Sequence, residues 1–219
     1  MASNPIPVVA SEKVVIPTKS EIVCLDPGHG GNDIGAEYGK LVESDINLET
    51  AKYVQLSLQA DGYRVYMTRE DDSFVAKRDR SEYCNSVNAD IMVSIHHNSY
   101  PEDTSVNYAT ALYYKDKDQL LASSVLNSTA TALDIKNQGI SKFDNSLLWV
   151  ADMPAVLNEG YFITNRSEYN SLVKSSSILT KLEADGIYKG IINYFNTPDS
   201  IEVSINNDTL EISRKDLGD

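Results

Sequence analysis

Two cysteines, three histidines and one tryptophan are all that 219 residues contain of those types. Cys24 and Cys84 are too few and too far apart for a C-x-x-C metal or redox motif. Cys24 lies in the apolar run Ile22-Val23-Cys24-Leu25 and reads as a buried packing thiol rather than a disulfide partner. Positive charge is also scarce: 19 basic side chains face 32 acidic ones, a formal charge of -13. That balance repels phosphate backbones, and no basic stripe offsets it, so no nucleic-acid partner is expected. No apolar run approaches the roughly 20 residues needed to span a bilayer, so no transmembrane segment is expected. The N-terminus has neither the basic start nor the apolar stretch of a secretory leader. It reads as a mature or trimmed chain, or as one that leaves its cell by another route. Repeats and low-complexity tracts are missing too, which leaves one ordinary soluble core with short appendages.

The apolar periodicity alternates in kind along the chain. Glu21 to Leu25 is a β-rich run stopped by Asp-Pro-Gly. Leu48, Ala51, Val54 and Leu58 recur at helical spacing until Gly62 closes the segment. Tyr63 to Thr68 alternates as a second strand, and Ala89 to His97 reads as a third, buried on both faces. A strand at Tyr108 to Tyr114 and a helix from about Asp118 to Leu133 follow. Two short apolar segments flank Asp152, and a last helix, Ile178 to Phe195, places Leu182, Ile187, Ile191 and Phe195 on one side. The fold class expected is α/β: a three-layer arrangement with a mixed, mostly parallel twisted sheet and helices on both faces. Residues 1–20 read as a flexible N-terminal arm and 21–196 as the folded domain. Residues 197–219 read as a tail or linker, or a short hairpin around Asn206-Asn207-Asp208.

In open α/β sheets ligands bind beyond the carboxyl ends of the strands. His29 follows the first strand, His96 and His97 end the third, and Glu159 follows the run Pro154-Ala155-Val156-Leu157-Asn158. Glu43 stands just before the first long helix, where a short loop returns it to the same edge. Each histidine alone would pass for a turn or core residue; together with two carboxylates they point to metal. Two histidines and a glutamate are a recurring ligand set of hydrolytic zinc sites, with a fourth position left open. Strand alternation puts Met92, Ser94 and His96 on one face and favours His96 as ligand, with His97 supporting the site or facing the substrate. Glu37 and Glu49 rival Glu43, though surface exposure is the common fate of glutamate. Glu159, at the end of an apolar strand, suits a proton carrier, because a dry pocket raises a carboxyl pKa.

The strings "VCLDPGHGGNDIGA", "LVESDINL", "YMTRE", "SIHHNS" and "MPAVLNEGYFITN", in this order, resemble the zinc-dependent N-acetylmuramoyl-L-alanine amidases of the amidase-3 class, over about Ile22 to Phe195. The resemblance implies a hydrolase with one zinc ion that cuts the amide between N-acetylmuramic acid and L-alanine in peptidoglycan. It implies His29, Glu43 and His96 as ligands and Glu159 as the catalytic residue. It also implies action on the cell wall, extracellular or periplasmic; the missing leader fits a phage endolysin, or a bacterial cell-wall enzyme such as an autolysin whose leader was removed. The acidic charge would be repelled by anionic wall polymers, so a wall-binding module or an activator protein is an expected further partner. Two positions depart from the resembled pattern. Gly160 directly follows Glu159, where the family commonly spaces the glycine one residue further, and His97 stands where a small residue is usual. A non-catalytic peptidoglycan-binding or regulatory domain, and a zinc peptidase acting on stem peptides, are the alternative readings.

Overall fold

The computed structural model describes residues 19–197, 201–206 and 209–214. Most of the expected arm at 1–20 and the expected turn at 207–208 therefore lie outside the described residues. In chain order the elements are β1 (Ile22–Pro27), β2 (Glu37–Tyr38), β3 (Leu41–Val42), α1 (Glu43–Ala60), β4 (Arg64–Met67) and α2 (Lys77–Ser86). They continue with β5 (Ile91–Asn98), β6 (Ala109–Tyr113), α3 (Gln119–Leu133), β7 (Asn137–Lys142), α4 (Ser146–Val150), β8 (Ala155–Phe162) and α5 (Arg166–Asn196). Strands β9 (Ile201–Asn206) and β10 (Thr209–Arg214) pair antiparallel with each other.

Six strands form one sheet in the order β4-β1-β5-β8-β6-β7. All neighbours are parallel except β6 and β8. The alternation read along each strand separates two cores. Val23, Leu25, Ile91, Val93, Ile95 and Val156 pack with Ala51 and Val54 of α1, Leu121 and Val125 of α3, and Ile187 and Ile191 of α5. Ile22, Cys24, Met92, Ala155 and Leu157 face the other way, onto Cys84 of α2 and Leu147 and Leu148 of α4. Helices thus cover both faces of a mixed, mostly parallel sheet, the three-layer solution for strands apolar on both sides.

The structure corrects three readings. Cys24 and Cys84 form a disulfide. A short apolar context identifies burial but not the partner, and this partner comes from a helix 60 residues along the chain. Leu182 is 45% exposed, because its direction on α5 lies away from the buried Leu179, Ala184, Ile187 and Ile191. The final helix also begins at Arg166 rather than near Ile178, interrupted by non-helical backbone at Ser175.

Two buried arginines tie the end of β1 to its surroundings. Arg80 of α2 donates to Asp26 (2.9 Å) and to the carbonyls of Pro27 (2.7 Å) and His29 (2.8 Å). Arg69 donates to the carbonyls of Pro27, Gly28 and Ser44. Asp26 is fully buried and also accepts from Thr68 and Ser94. Burial opposes its charge, but the Arg80 guanidinium and these hydroxyls outweigh it and hold the carboxyl below the usual aspartate range. A folded-state pKa that is depressed contributes stability above the unfolded value and loses it as pH falls through the native one. Asp26→Asn is therefore expected to flatten the fall in stability below about pH 4. Urea unfolding at a series of acidic pH values measures it, and an unchanged acid limb would assign the acid sensitivity to other carboxylates.

Candidate functional site

His29 lies two residues beyond β1 with a positive φ of 62°, an uncommon conformation for a residue with a side chain. The turn needs a glycine before it for a steric reason. A Cβ on Gly28 would come within 2.2 Å of the His96 ring, so only glycine lets the loop pass the end of β5. The His29 ring is held from one side by Asp33, whose Oδ1 lies 2.8 Å from Nδ1. Its other nitrogen, Nε2, is 3.2 Å from Glu43 Oε1.

Glu43 is the first residue of α1, and both its backbone and its side chain are secured. Its N–H donates to the carbonyl of Ala36, and Oε2 accepts from the N–H of Ala36 at 2.8 Å. The β2–β3 hairpin between these residues makes the short return of the chain to the strand edge. Oε1 points inward, 3.1 Å from His96 Nδ1. Burial opposes ionisation of Glu43, but the bonds and charges of the two imidazoles outweigh it and keep the carboxyl far below its ordinary range.

The three predicted ligands thus converge, with one ligand atom from each of His29, Glu43 and His96 all within 4.8 Å of one another. Zinc bonds of about 2.0–2.2 Å in tetrahedral array put neighbouring ligand atoms about 3.3 Å apart. The two imidazole–carboxylate separations match that spacing, and two neutral imidazoles with one carboxylate suit zinc chemically. The donor set fits a single divalent ion, which these three side chains would hold. The rivals do not join it: Glu37 is exposed on β2 and Glu49 is outside the cluster.

Glu159 lies opposite His96 in the parallel pairing of β5 with β8. It sits within the strand, which runs on to Phe162, rather than after it. The residue is partly exposed, but its Oε2 is buried and has no hydrogen-bond partner among the described residues. Burial pushes its pKa up, and the nearby histidines only partly counter this. His29, His96 and Glu159 border a groove of about 390 Å³ whose walls include Phe74, Val75, Leu112, Phe143, Leu147 and Leu157. The exposed Lys77 stands at its edge.

His97 does not face this groove, which corrects one half of its sequence reading. Its side chain points to the opposite side of the sheet, is fully buried, and lies between Asn47 Oδ1 (2.7 Å) and Glu183 Oε2 (2.8 Å). Burial opposes a charge on its ring, but Glu183 outweighs that and raises the pKa. Sequence reasoning missed Glu183 altogether. Its only signal was one acidic residue on the apolar side of a helix, next to Ala184 and one turn before Ile187.

The family model for N-acetylmuramoyl-L-alanine amidases, Amidase_3, matches residues 23–193. The chain is 32% identical over 182 residues to the uncharacterized protein YqiI of Bacillus subtilis, covering 82% of this chain and 87% of that one. It is 31% identical over 183 residues to the N-acetylmuramoyl-L-alanine amidase LytC of Bacillus subtilis, covering 82% of this chain. It spans only 36% of the length of LytC. Among solved structures, the N-acetylmuramoyl-L-alanine amidase AmiC2 of Nostoc punctiforme superimposes with a TM-score of 0.75 at 35% identity, over 81% of this chain and 98% of that one.

Proposed function

Since the chain belongs to the N-acetylmuramoyl-L-alanine amidase family, we propose that it hydrolyses the amide between N-acetylmuramic acid and L-alanine of peptidoglycan, with zinc held by His29, Glu43 and His96. The observation that carries this reading is the convergence of those three side chains on one point beside the buried carboxyl of Glu159. A binding module has no chemical need for an open ligand set next to a desolvated carboxylate.

When bound, the ion supplies a Lewis acid for the scissile carbonyl and acidifies water. The chain's residues do the rest. Asp33 accepts from His29 Nδ1, which leaves Nε2 free to face the ligand set. Glu159 takes a proton from the attacking water on its carboxylate and returns it to the departing amine of L-alanine. A raised pKa suits this exchange, because the group must both accept and release the proton. The apolar groove seats the substrate and excludes bulk water from the reacting bond.

Residues 21–196 are the catalytic domain in this reading, and its site of action is the cell wall outside the cytoplasm. The Cys24–Cys84 disulfide supports that location, since such bonds persist in oxidising compartments. Among the described residues no helix is long and apolar enough to cross a membrane. A wall-binding module or activator would supply the attachment that a charge of -13 does not.

Incubation of the protein with purified peptidoglycan, with chelator and then with zinc restored, tests the proposal by mass spectrometry of the released fragments. Free stem peptides beginning with L-alanine are expected, lost on chelation and regained with zinc. Fragments cut within the stem would mean a peptidase, and binding without cleavage by the zinc-loaded protein would mean a non-catalytic domain.

A further inference from the structure

The two positions that depart from the resembled pattern, His97 and Gly160, meet at the same buried carboxylate. Glu183 of α5 is fully buried; its Oε2 contacts His97 Nε2 and accepts from Thr50 Oγ1 at 3.2 Å. Its Oε1 occupies the space where a side chain at position 160 would begin, since a Cβ on Gly160 would lie 1.9 Å from it. Glycine after Glu159 therefore makes room for the carboxylate that His97 requires. Tyr161 closes the pocket, its ring 4.3 Å from that of His97.

The hydrogen bonds on the other side of His97 have a definite direction. Asn47 Nδ2 donates to the Gly28 carbonyl (3.1 Å) and reaches Glu43 Oε1 (3.5 Å), so its Oδ1 is the atom turned to His97. That assignment makes His97 Nδ1 a donor, and Nε2 shares a proton with Glu183. One carboxamide thus touches both the residue preceding His29 and the carboxylate of Glu43. The backbone N–H of His97 also donates to Glu43 Oε1, at 3.2 Å.

We propose that Asn47, His97 and Glu183 are positioning residues: a buried relay that runs from α5 through the sheet face to α1, holds Glu43 and the His29 loop in register, and so sets the affinity for the metal ion. The inference rests on the reading of His29, Glu43 and His96 as the zinc ligands. Stability alone does not account for the cluster, because a buried ion pair returns little net free energy over well-packed apolar groups of the same size. Its geometry does have a use at the site, since groups behind metal ligands orient them, and their loss commonly costs 10- to 100-fold in metal affinity.

The test measures the zinc dissociation constant of the purified full chain by competition with a chromophoric chelator, with the melting temperature of the metal-free protein measured beside it. Asn47→Ala puts the best helix former at a helical position and removes only the carboxamide. It is expected to weaken zinc binding by about 10- to 100-fold and to lower melting only moderately, through the buried His97 N–H that loses its acceptor. His97→Ala and Glu183→Ala are expected to weaken binding similarly and to melt earlier. Glu183→Gln, which keeps a hydrogen-bonding group beside His97, should recover most of the affinity lost in Glu183→Ala. His29→Ala is the control, and unchanged zinc binding in it would overturn the ligand assignment and this inference together. Loss of zinc in His29→Ala with wild-type affinity in a folded Asn47→Ala would overturn the relay alone. Should the His97 and Glu183 alanine variants fail to fold, Asn47→Ala decides the question by itself.

Discussion

Glu159→Gln is expected to bind zinc as tightly as the unaltered protein and to lose about 10²- to 10⁴-fold in turnover on peptidoglycan, the range that a positioned general acid–base supplies. The substitution keeps size and shape but removes the ability to take a proton. It should be structurally cheap, because the buried Oε2 has no partner among the described residues to lose. The desolvation that raises the carboxyl pKa also disfavours its charge, so the neutral amide relieves a cost rather than adding one. Zinc retention, measured on the same preparation, separates this variant from His29→Ala, which should lose metal and turnover together. A Glu159→Gln enzyme within tenfold of normal would mean that another group carries the proton.

The second large effect concerns the disulfide. Removing it by Cys24→Ala with Cys84→Ala is expected to cost about 4 kcal/mol in unfolding free energy, from the chain entropy released by opening a loop of this length. The bond spans 60 residues, and both cysteines are fully buried between β1 and α2. Its loss should reach the site as well as the core. Helix α2 carries Arg80, whose guanidinium holds the carbonyls of Pro27 and His29 and the carboxylate of Asp26. Denaturant unfolding of the two proteins under non-reducing conditions measures the difference. A loss below about 1 kcal/mol would mean that the unfolded chain gains little freedom when the bond is cut, through residual structure in the denatured state.

Much of the candidate site was legible because its parts are local. A histidine beside glycines after one strand, a histidine at the end of another and a carboxylate within an apolar run each carry their own signal, and a parallel sheet gathers strand ends at one edge. Strand alternation also separates the adjacent histidines: His96 reaches His29 and Glu43, while His97 turns to the face of Ile91, Val93 and Ile95. Boundaries were less readable. The helix Lys77–Ser86 is strongly polar, and the strand Asn137–Lys142 is largely exposed at the sheet edge, so neither has an apolar period to betray it.

By itself, then, the sequence determined the layered α/β class, the identity of the strands that bear His96 and Glu159 and of the one that leads to His29, and the resemblance that names the chemistry. These follow from short-range periodicity and from residue types whose chemistry is the same wherever they sit. Only the tertiary structure decided that Cys24 bonds to Cys84, that β6 runs antiparallel to β8, and that His97 faces Glu183 rather than the groove. Each joins atoms from segments far apart in the chain. Pairings of that kind are selected by which surfaces the folded core brings together, and no local pattern of residues records them.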